Sequence, residues 1–215
     1  MPETTNAEND SVSAVILAGG AGIRFGSYKP LFTVLGRTIL EHLESRIEGL
    51  YGEVLVVTGT ELQQRQIRER LGQTNVITDQ IAGIGPLGGI LTGARHTHYE
   101  YCQVLPVDSP LPIREVLQQL LASVRGFEAA VPMWKDGRLE PLHGVYRVES
   151  AAREAERLIR EGRRSVISLV RSISNVRYVD IDELRGLDPD LDTFANINTT
   201  EDLKKIISKL KREPH

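Results

Sequence analysis

The sequence predicts an α/β domain, a single unit with a mostly parallel central sheet flanked by helices. Two observations predict it. Short apolar runs alternate with amphipathic stretches of helical period, the pattern of crossovers that return each strand parallel to the last. Glycine- and proline-rich segments follow several of those runs, where open sheets of this kind bind ligands, beyond the carboxyl ends of the strands. A length of 215 residues suits one domain with a full core.

The elements follow in order. Residues 1–11 are polar and acidic with no apolar stretch, so they are expected to be a disordered arm and not a signal peptide, with the domain spanning 12–211. Apolar, β-rich runs predict strands at 12–17, 53–58, 75–78, 101–106, 128–133, 141–147 and 176–180. Amphipathic stretches between them predict helices at 38–50, 61–71, 87–98, 113–124 and 149–161, with a last helix at 200–211. The K-D-G-R string at 135–138 predicts a hairpin turn, with Asp136-Gly137 supplying positive φ. The lone cysteine, Cys102, lies in the apolar stretch from Tyr101 to Leu105 and reads as a packing residue. One cysteine rules out an internal disulfide framework and suits a reducing cytoplasm. A formal net charge of -3 argues against a general nucleic-acid binder. No apolar run approaches the roughly 18 residues needed to cross a bilayer, so no membrane partner is expected.

The richest segment is 12–31, where Val12, Val15, Ile16 and Leu17 give way to Ala18, Gly19, Gly20, Gly22 and Gly26. Arg24 and Lys29 lie in the same loop. A strand that empties into a glycine-rich basic loop offers bare backbone N–H groups to an anion, because no Cβ blocks the approach. A phosphate chain is the natural ligand. A P-loop is excluded because Lys29 is followed by Pro30 rather than Ser or Thr. A dinucleotide fingerprint needs G-x-G-x-x-G running into a helix and an acid after the second strand. Here Gly20-x-Gly22 reaches Gly26 one residue late, and the run Val54 to Val57 ends in Thr58.

Three further constellations carry chemistry. Gly85, Gly88 and Gly89 in G-P-L-G-G-I open a predicted helix, presenting N–H groups and the positive dipole end to a cleft. The same glycines would also serve tight helix–sheet packing. Asp108, in L-P-V-D-S-P-L-P, is the first polar group at the tip of a strand, a position suited to magnesium. It or Ser109 would equally cap a helix starting near Pro112. In D-T-F-A-N-I-N-T-T-E-D-L, Asn196 and Asn198 alternate and would point to one side, while Thr199 or Thr200 opens the last helix. Pro141 and His143 follow the hairpin, and 153–171 holds six arginines against three glutamates, with Arg163 and Arg164 beside Gly162.

The string L-A-G-G-A-G-I-R-F-G-S-Y-K-P-L resembles the signature of nucleotidyltransferases that load a nucleoside monophosphate onto a phosphorylated acceptor. It most resembles the molybdenum cofactor guanylyltransferase (MobA) family, roughly L-A-G-G-x-S/x-x-R-M-G-x-D-K. Leu17 to Gly20, Arg24, Gly26 and Lys29 match; Phe25 replaces the methionine and Tyr28 replaces the acid before the lysine. The likeness runs from about residue 12 to 207 and implies a Rossmann-like fold of the nucleotide-diphospho-sugar transferase type. It implies a nucleotide site made from Leu17, Ala18, Gly19, Gly20, Gly22, Arg24, Lys29, Thr58, Asp79, Gly85, Pro86, Leu87 and Asp108. It also implies catalytic roles for Lys29, Arg24 and Asp108, and Mg2+ on Asp108 and Asn198. Asn196, Asn198, Pro141, Arg163 and Arg164 are the implied acceptor contacts.

The implied reaction transfers GMP from GTP to the terminal phosphate of molybdenum-loaded molybdopterin and releases pyrophosphate. An acceptor that is already a phosphate ester is ionised at neutral pH, so no general base is needed and His143 has no catalytic part. L-A-G-G is more typical of guanylyl transfer and L-A-A-G of cytidylyl transfer, with Gly19 sparing a methyl group that would narrow the base pocket. Rival readings keep the chemistry with another base or acceptor: molybdopterin cytidylyl transfer, cobinamide-phosphate guanylyl transfer or sugar-1-phosphate activation. A sensor that binds nucleotide without turnover, and an NAD-dependent enzyme, are the rivals from other classes. The resemblance implies a cytoplasmic enzyme, with other cofactor-biosynthesis proteins and the recipient apo-enzyme as protein partners.

Overall fold

Strand β1 (Val12–Leu17) lies in the middle of the sheet, and its first five residues are all buried. Ala14 and Ile16 pack into the core on one face and Val15 into the core on the other. A strand apolar on both sides marks a sheet covered on both faces. The computed structural model describes residues 12–20, 28–72, 75–81 and 83–212. The expected disordered arm at 1–11 lies outside the described residues, as do Gly22, Arg24, Phe25 and Gly26.

After a 3-10 turn at Lys29–Leu31 comes a two-residue-per-strand hairpin, β2 (Thr33–Val34) and β3 (Arg37–Thr38), turning through Leu35 and Gly36 with φ of 48° and 86°. Thr38 then caps α1 (Ile39–Ile47) in a reciprocal capping box with Glu41, whose carboxyl is held below its usual range chiefly by the Thr38 backbone N–H. Next come β4 (Glu53–Thr58), α2 (Glu61–Leu71), β5 (Val76–Thr78), α3 (Pro86–His96) and β6 (Tyr101–Pro106). The second half supplies α4 (Arg114–Ser123), β7 (Ala129–Met133), β8 (Val145–Arg147), α5 (Val148–Arg160), α6 (Val166–Ser172), β9 (Val176–Asp180), α7 (Ile181–Leu184) and α8 (Thr200–Leu210).

The seven-stranded sheet has the order β5-β4-β1-β6-β8-β7-β9. Pairing is parallel throughout except at β8, which runs antiparallel to both β6 and β7. From β1 the chain first steps outward through β4 to β5, then returns to place β6 on the other side of β1. The strand order therefore reverses between β1 and β6, which opens a crevice at their carboxyl ends. Helix α3 covers β1 closely: a Cβ on Gly93 would collide with the Val15 side chain, and one on Gly89 would come within 2.9 Å of Leu17 Cδ2.

Several expectations change. The strand expected at 141–147 shrinks to 145–147, because Pro141 to His143 form a 3-10 turn closed by Gly144 N–H to the Pro141 carbonyl. Its antiparallel direction also breaks the rule that every crossover returns parallel. The 135–138 turn forms, with Met133 bridging Leu139, but only Gly137 takes positive φ, at 82°. The β2–β3 hairpin, α6 and α7 were not expected: the first is too short to show a period, and the others are only 7 and 4 residues long. Cys102 is fully buried, and burial pushes its thiol up to about 12, so it packs and does not react.

Candidate active site

The sheet's hydrogen bonding continues past the strand ends and sets the rim of the site. Ala18 N–H donates to the Val57 carbonyl at 2.8 Å, Asp79 N–H to Thr58 at 2.7 Å, and Val107 N–H to Leu17 at 3.2 Å. Four strands thereby deliver the glycine loop, Thr58, Asp79 and Asp108 to one edge. They surround a cavity of about 430 Å³, within the range of small-molecule sites. Leu17, Ala18, Gly19, Gly20, Lys29, Thr58, Asp79, Gly85, Pro86 and Asp108 all line it, so ten of the expected residues converge.

Lys29 and Asp108 meet, with Nζ 3.3 Å from Oδ2 and side chains only 15% and 30% exposed. Lys29 also donates to the Ile197 carbonyl at 2.8 Å, while Ile197 N–H donates to the Asp108 carbonyl at 2.8 Å. This exchange docks the 196–198 segment onto the end of β6. The segment reaches that place because buried Asp188 accepts the N–H groups of Asp192 and Thr193, building a 3-10 turn at Asp192–Phe194. Ile197 is buried and Asn196 and Asn198 are exposed, as their alternation predicted. Neither asparagine lines the cavity; Asn196 Oδ1 accepts from Ser109 Oγ at 2.5 Å. Thr199 caps α8 in a box with Asp202.

Ser109 and Asp108 do not cap the next helix, because α4 begins at Arg114 behind Ile113. Asp108 therefore faces the cavity without a capping task. Asp79 is held in place: Oδ1 accepts from Thr92 Oγ1 at 2.9 Å and from Ile81 N–H at 3.0 Å. The Thr58 hydroxyl is turned to the Thr60 and Ile77 carbonyls, each at 3.3 Å.

The glycines divide by task. Gly88 and Gly89 use their N–H groups on the Gly85 carbonyl and are buried, and a Cβ on Gly88 would sit 2.7 Å from Asp79 Oδ2. Gly88 and Gly89 are both buried and closely packed, and Gly89, like the more exposed Gly85, also lines the cavity. Leu87 is a correction as well, since its side chain enters the core and only its backbone stands at the helix start. Gly19 also answers a packing demand: a Cβ there would lie 2.9 Å from Gly59 N, so a methyl would strike the neighbouring loop. By contrast, the N–H groups of Gly19 and Gly20 make no hydrogen bond to another described residue.

The expected acceptor residues are scattered. Pro141 sits outside the lining, its carbonyl accepting the Tyr146 hydroxyl at 2.6 Å, while its neighbour Leu142 does line the cavity. Arg163 is exposed and donates to Ser168 Oγ at 3.0 Å; Arg164 donates to the carbonyl of Gly83, a lining residue, at 3.2 Å. Arg164 thus braces the 79–85 side of the cavity. Gln63, which the sequence reading missed, lines the cavity from the first turn of α2. Its neighbours from Glu61 to Gln66 are polar except Leu62 and read as a solvated helix face, so no spacing signal marked it.

A cavity lined by glycines whose amides pair with no other described residue, with a lysine–carboxylate pair at the reversal of such a sheet, is an arrangement suited to nucleotidyl transfer. The MobA-like NTP transferase domain model matches residues 14–176. A probable molybdenum cofactor guanylyltransferase of Methanosarcina acetivorans is 35% identical over 208 residues, 93% of this chain and 92% of that protein. Its counterpart in Methanothermobacter thermautotrophicus is 35% identical, covering 92% of this chain and 99% of that one. The crystal structure of molybdopterin-guanine dinucleotide biosynthesis protein A from Archaeoglobus fulgidus superposes with a TM-score of 0.80 at 29% identity, covering 94% of this chain and all of that one. The chain belongs to the molybdenum cofactor guanylyltransferase (MobA) family of nucleotidyltransferases. Among the described residues no helix is long and apolar enough to cross a membrane.

Proposed function

We propose that this enzyme transfers GMP from GTP to the terminal phosphate of molybdopterin, releasing pyrophosphate and forming the guanine dinucleotide cofactor. The observation that carries the reading is the Lys29–Asp108 pair lining the same cavity as Gly19 and Gly20, whose amides pair with no other described residue. The curated names of the relatives supply the nucleotide and the acceptor. Cytoplasmic location, and exchange with other cofactor-biosynthesis proteins and the recipient apo-enzyme, belong to the same reading.

Both substrates are polyanions, and the protein's task is to bring them together against their repulsion. The Gly19 and Gly20 amides and Lys29 bind and orient the triphosphate. Lys29 already spans from Asp108 to the Ile197 carbonyl, so its ammonium sits between the nucleotide side and the 196–198 segment. Asp79 and Gly85 line the nucleoside end, braced by Thr92 and Arg164. Asn196 and Asn198 orient the acceptor phosphate from the far side of Lys29, with Arg24 completing the charge on the triphosphate. No side chain has to remove a proton. His143 is buried, and burial pushes its pKa down to about 4, so it is neutral and enclosed at pH 7.

A magnesium ion fits this donor set in one form only. Among the described residues no group of three or more His, Cys, Asp or Glu side chains could hold a metal. Mg2+ commonly takes one or two carboxylates and draws its other ligands from phosphates and water. Asp108, with the neighbouring Asn198, would hold an ion that arrives with the nucleotide. When bound it would neutralise charge on the reacting phosphate oxygens.

The test is a thermal-shift panel of GTP, CTP, ATP and UTP with magnesium, followed by pyrophosphate release with molybdopterin. GTP should stabilise selectively, by about 3 kcal/mol at one hundred times its Kd. Turnover with CTP and not GTP would reject the base assignment, and no turnover with molybdopterin would reject the acceptor.

A further inference from the structure

Gly19 and Gly20 expose their amides because they lack side chains, but the same lack leaves their backbone loosely determined. An anion site of this kind binds well only if the amides are already aimed, since ordering glycine on binding costs affinity. Two side chains grip the peptide planes on either side of this pair. The Tyr28 hydroxyl donates to the Ala18 carbonyl at 2.5 Å. Gln63 Nε2 donates to the Gly20 carbonyl at 3.2 Å, and its Oε1 accepts from Gly59 N–H at 2.9 Å.

We propose that Tyr28 and Gln63 are positioning residues that clasp the carbonyls of Ala18 and Gly20 and so pre-aim the glycine amides at the nucleotide's phosphates. The inference rests on the nucleotidyl-transfer reading above. Its physics is that of the trans peptide: C=O and N–H of one plane point in opposite directions, so the Ala18 carbonyl held toward Tyr28 turns the Gly19 N–H the other way, while Gln63 anchors the plane that follows Gly20, so that the Gly19–Gly20 plane carrying the Gly20 N–H is held at both ends. A carbonyl left unheld could rotate into the site and repel a phosphate. Each clasp therefore removes a repulsive orientation as well as a degree of freedom.

The two clasps differ in origin. Tyr28 adjoins Lys29 in sequence and is half-buried against the core. Burial raises its phenol well above the ordinary value, so it stays a donor at every working pH. It stands where the family signature carries an acid, which as a carboxylate could not donate to a carbonyl. Gln63 reaches from α2 and stitches Gly20 to Gly59, the neighbour that forbids a Cβ at Gly19. A glutamine suits this because one amide supplies both a donor and an acceptor.

The experiment compares the full-length wild type with Tyr28→Phe, Gln63→Glu and Gln63→Met, titrating GTP and guanosine calorimetrically with the acceptor absent. Circular dichroism and melting temperature check that each variant is folded. Tyr28→Phe and Gln63→Met should each weaken GTP about five- to tenfold, the worth of one hydrogen bond to a loop carbonyl, and Gln63→Glu by at least as much because it also sets a carboxylate on the cavity lining, while guanosine affinity stays within about twofold. In turnover with saturating acceptor, KM for GTP should rise by the same factor while kcat changes little. Folded variants with unchanged GTP affinity, or with guanosine weakened in parallel, would overturn the clasp. A wild type that itself binds GTP no better than guanosine would overturn the nucleotidyl-transfer reading with it, a failure distinct from the first.

Discussion

His143 offers a sharp test of how burial sets the acid limit of this fold. The ring is 2% exposed, packs edge-on against Phe194 at 5.0 Å between centroids, and neither nitrogen has a hydrogen-bond partner among the described residues. Burial lowers its pKa from 6.5 to about 4, and the Thr193 backbone nearby offsets part of that. In the unfolded chain the imidazole titrates near 6.5, so on acidification the unfolded state takes up a proton that the folded state refuses. The folded pKa is the lower one, so stability is complete above pH 6.5 and is lost as pH falls toward 4. The whole gap is worth about 3 kcal/mol, and about 2 kcal/mol of it is already lost at pH 5. His143→Leu, which keeps an apolar filling without the titration, should lose this dependence. Urea unfolding of both proteins at pH 7.5, 6.5, 5.5 and 5.0 measures it. Carboxylates held low in the fold, such as Glu128 under its Ser174 and Ser150 hydrogen bonds, act equally in both proteins and cancel in the difference. A wild-type minus variant difference that does not move with pH, or a His143 ring titrating near 6.5 by NMR in the wild type, would refute the argument.

Two more outcomes bear on the site and on its scaffold. On the proposed mechanism, Lys29→Ala and Asp108→Ala should each lower kcat by about a hundredfold or more while leaving far-UV circular dichroism unchanged, because Lys29 supplies positive charge where the two polyanions meet and Asp108 would hold the magnesium ion there. Wild-type turnover in both would end the mechanism. Gly93→Ala should destabilise by about 2 kcal/mol in chemical unfolding, since its methyl group meets the Val15 side chain in a filled interface. Adding Val15→Ala should recover part of that loss, and a fully additive double variant would show that the two groups do not compete for space.

Much of the architecture was legible because it rests on local pattern. The limits of β1, β4, β6 and β9 match the apolar runs at 12–17, 53–58, 101–106 and 176–180. Helix α2 matches its stretch at 61–71, and α5 is displaced by one residue. That Asp108 and Lys29 would stand beside one crevice was legible because each lies where a strand or a glycine run ends, a position visible in one dimension. Leu87 and Gly88 misled because the same residues that open a helix toward an anion also let it pack tightly, and sequence does not say which side faces the cavity. What Arg164 touches was not legible, because only the fold brings the Gly83 carbonyl, on the cavity lining, within its reach.

The sequence by itself determined the alternation of strands and helices, the glycine-rich segment after the first strand, and Lys29 and Asp108 as charged groups beside it, since periodicity and glycine spacing are properties of neighbouring residues. Only the tertiary structure decided that β8 runs backward between β6 and β7, that Ile197 carries the asparagine segment to Lys29, and that Gln63 reaches Gly20 from another helix. Those contacts join residues 168 and 43 positions apart. Their partners are chosen by the packing of layers against one sheet, and no local signal along the chain records that choice.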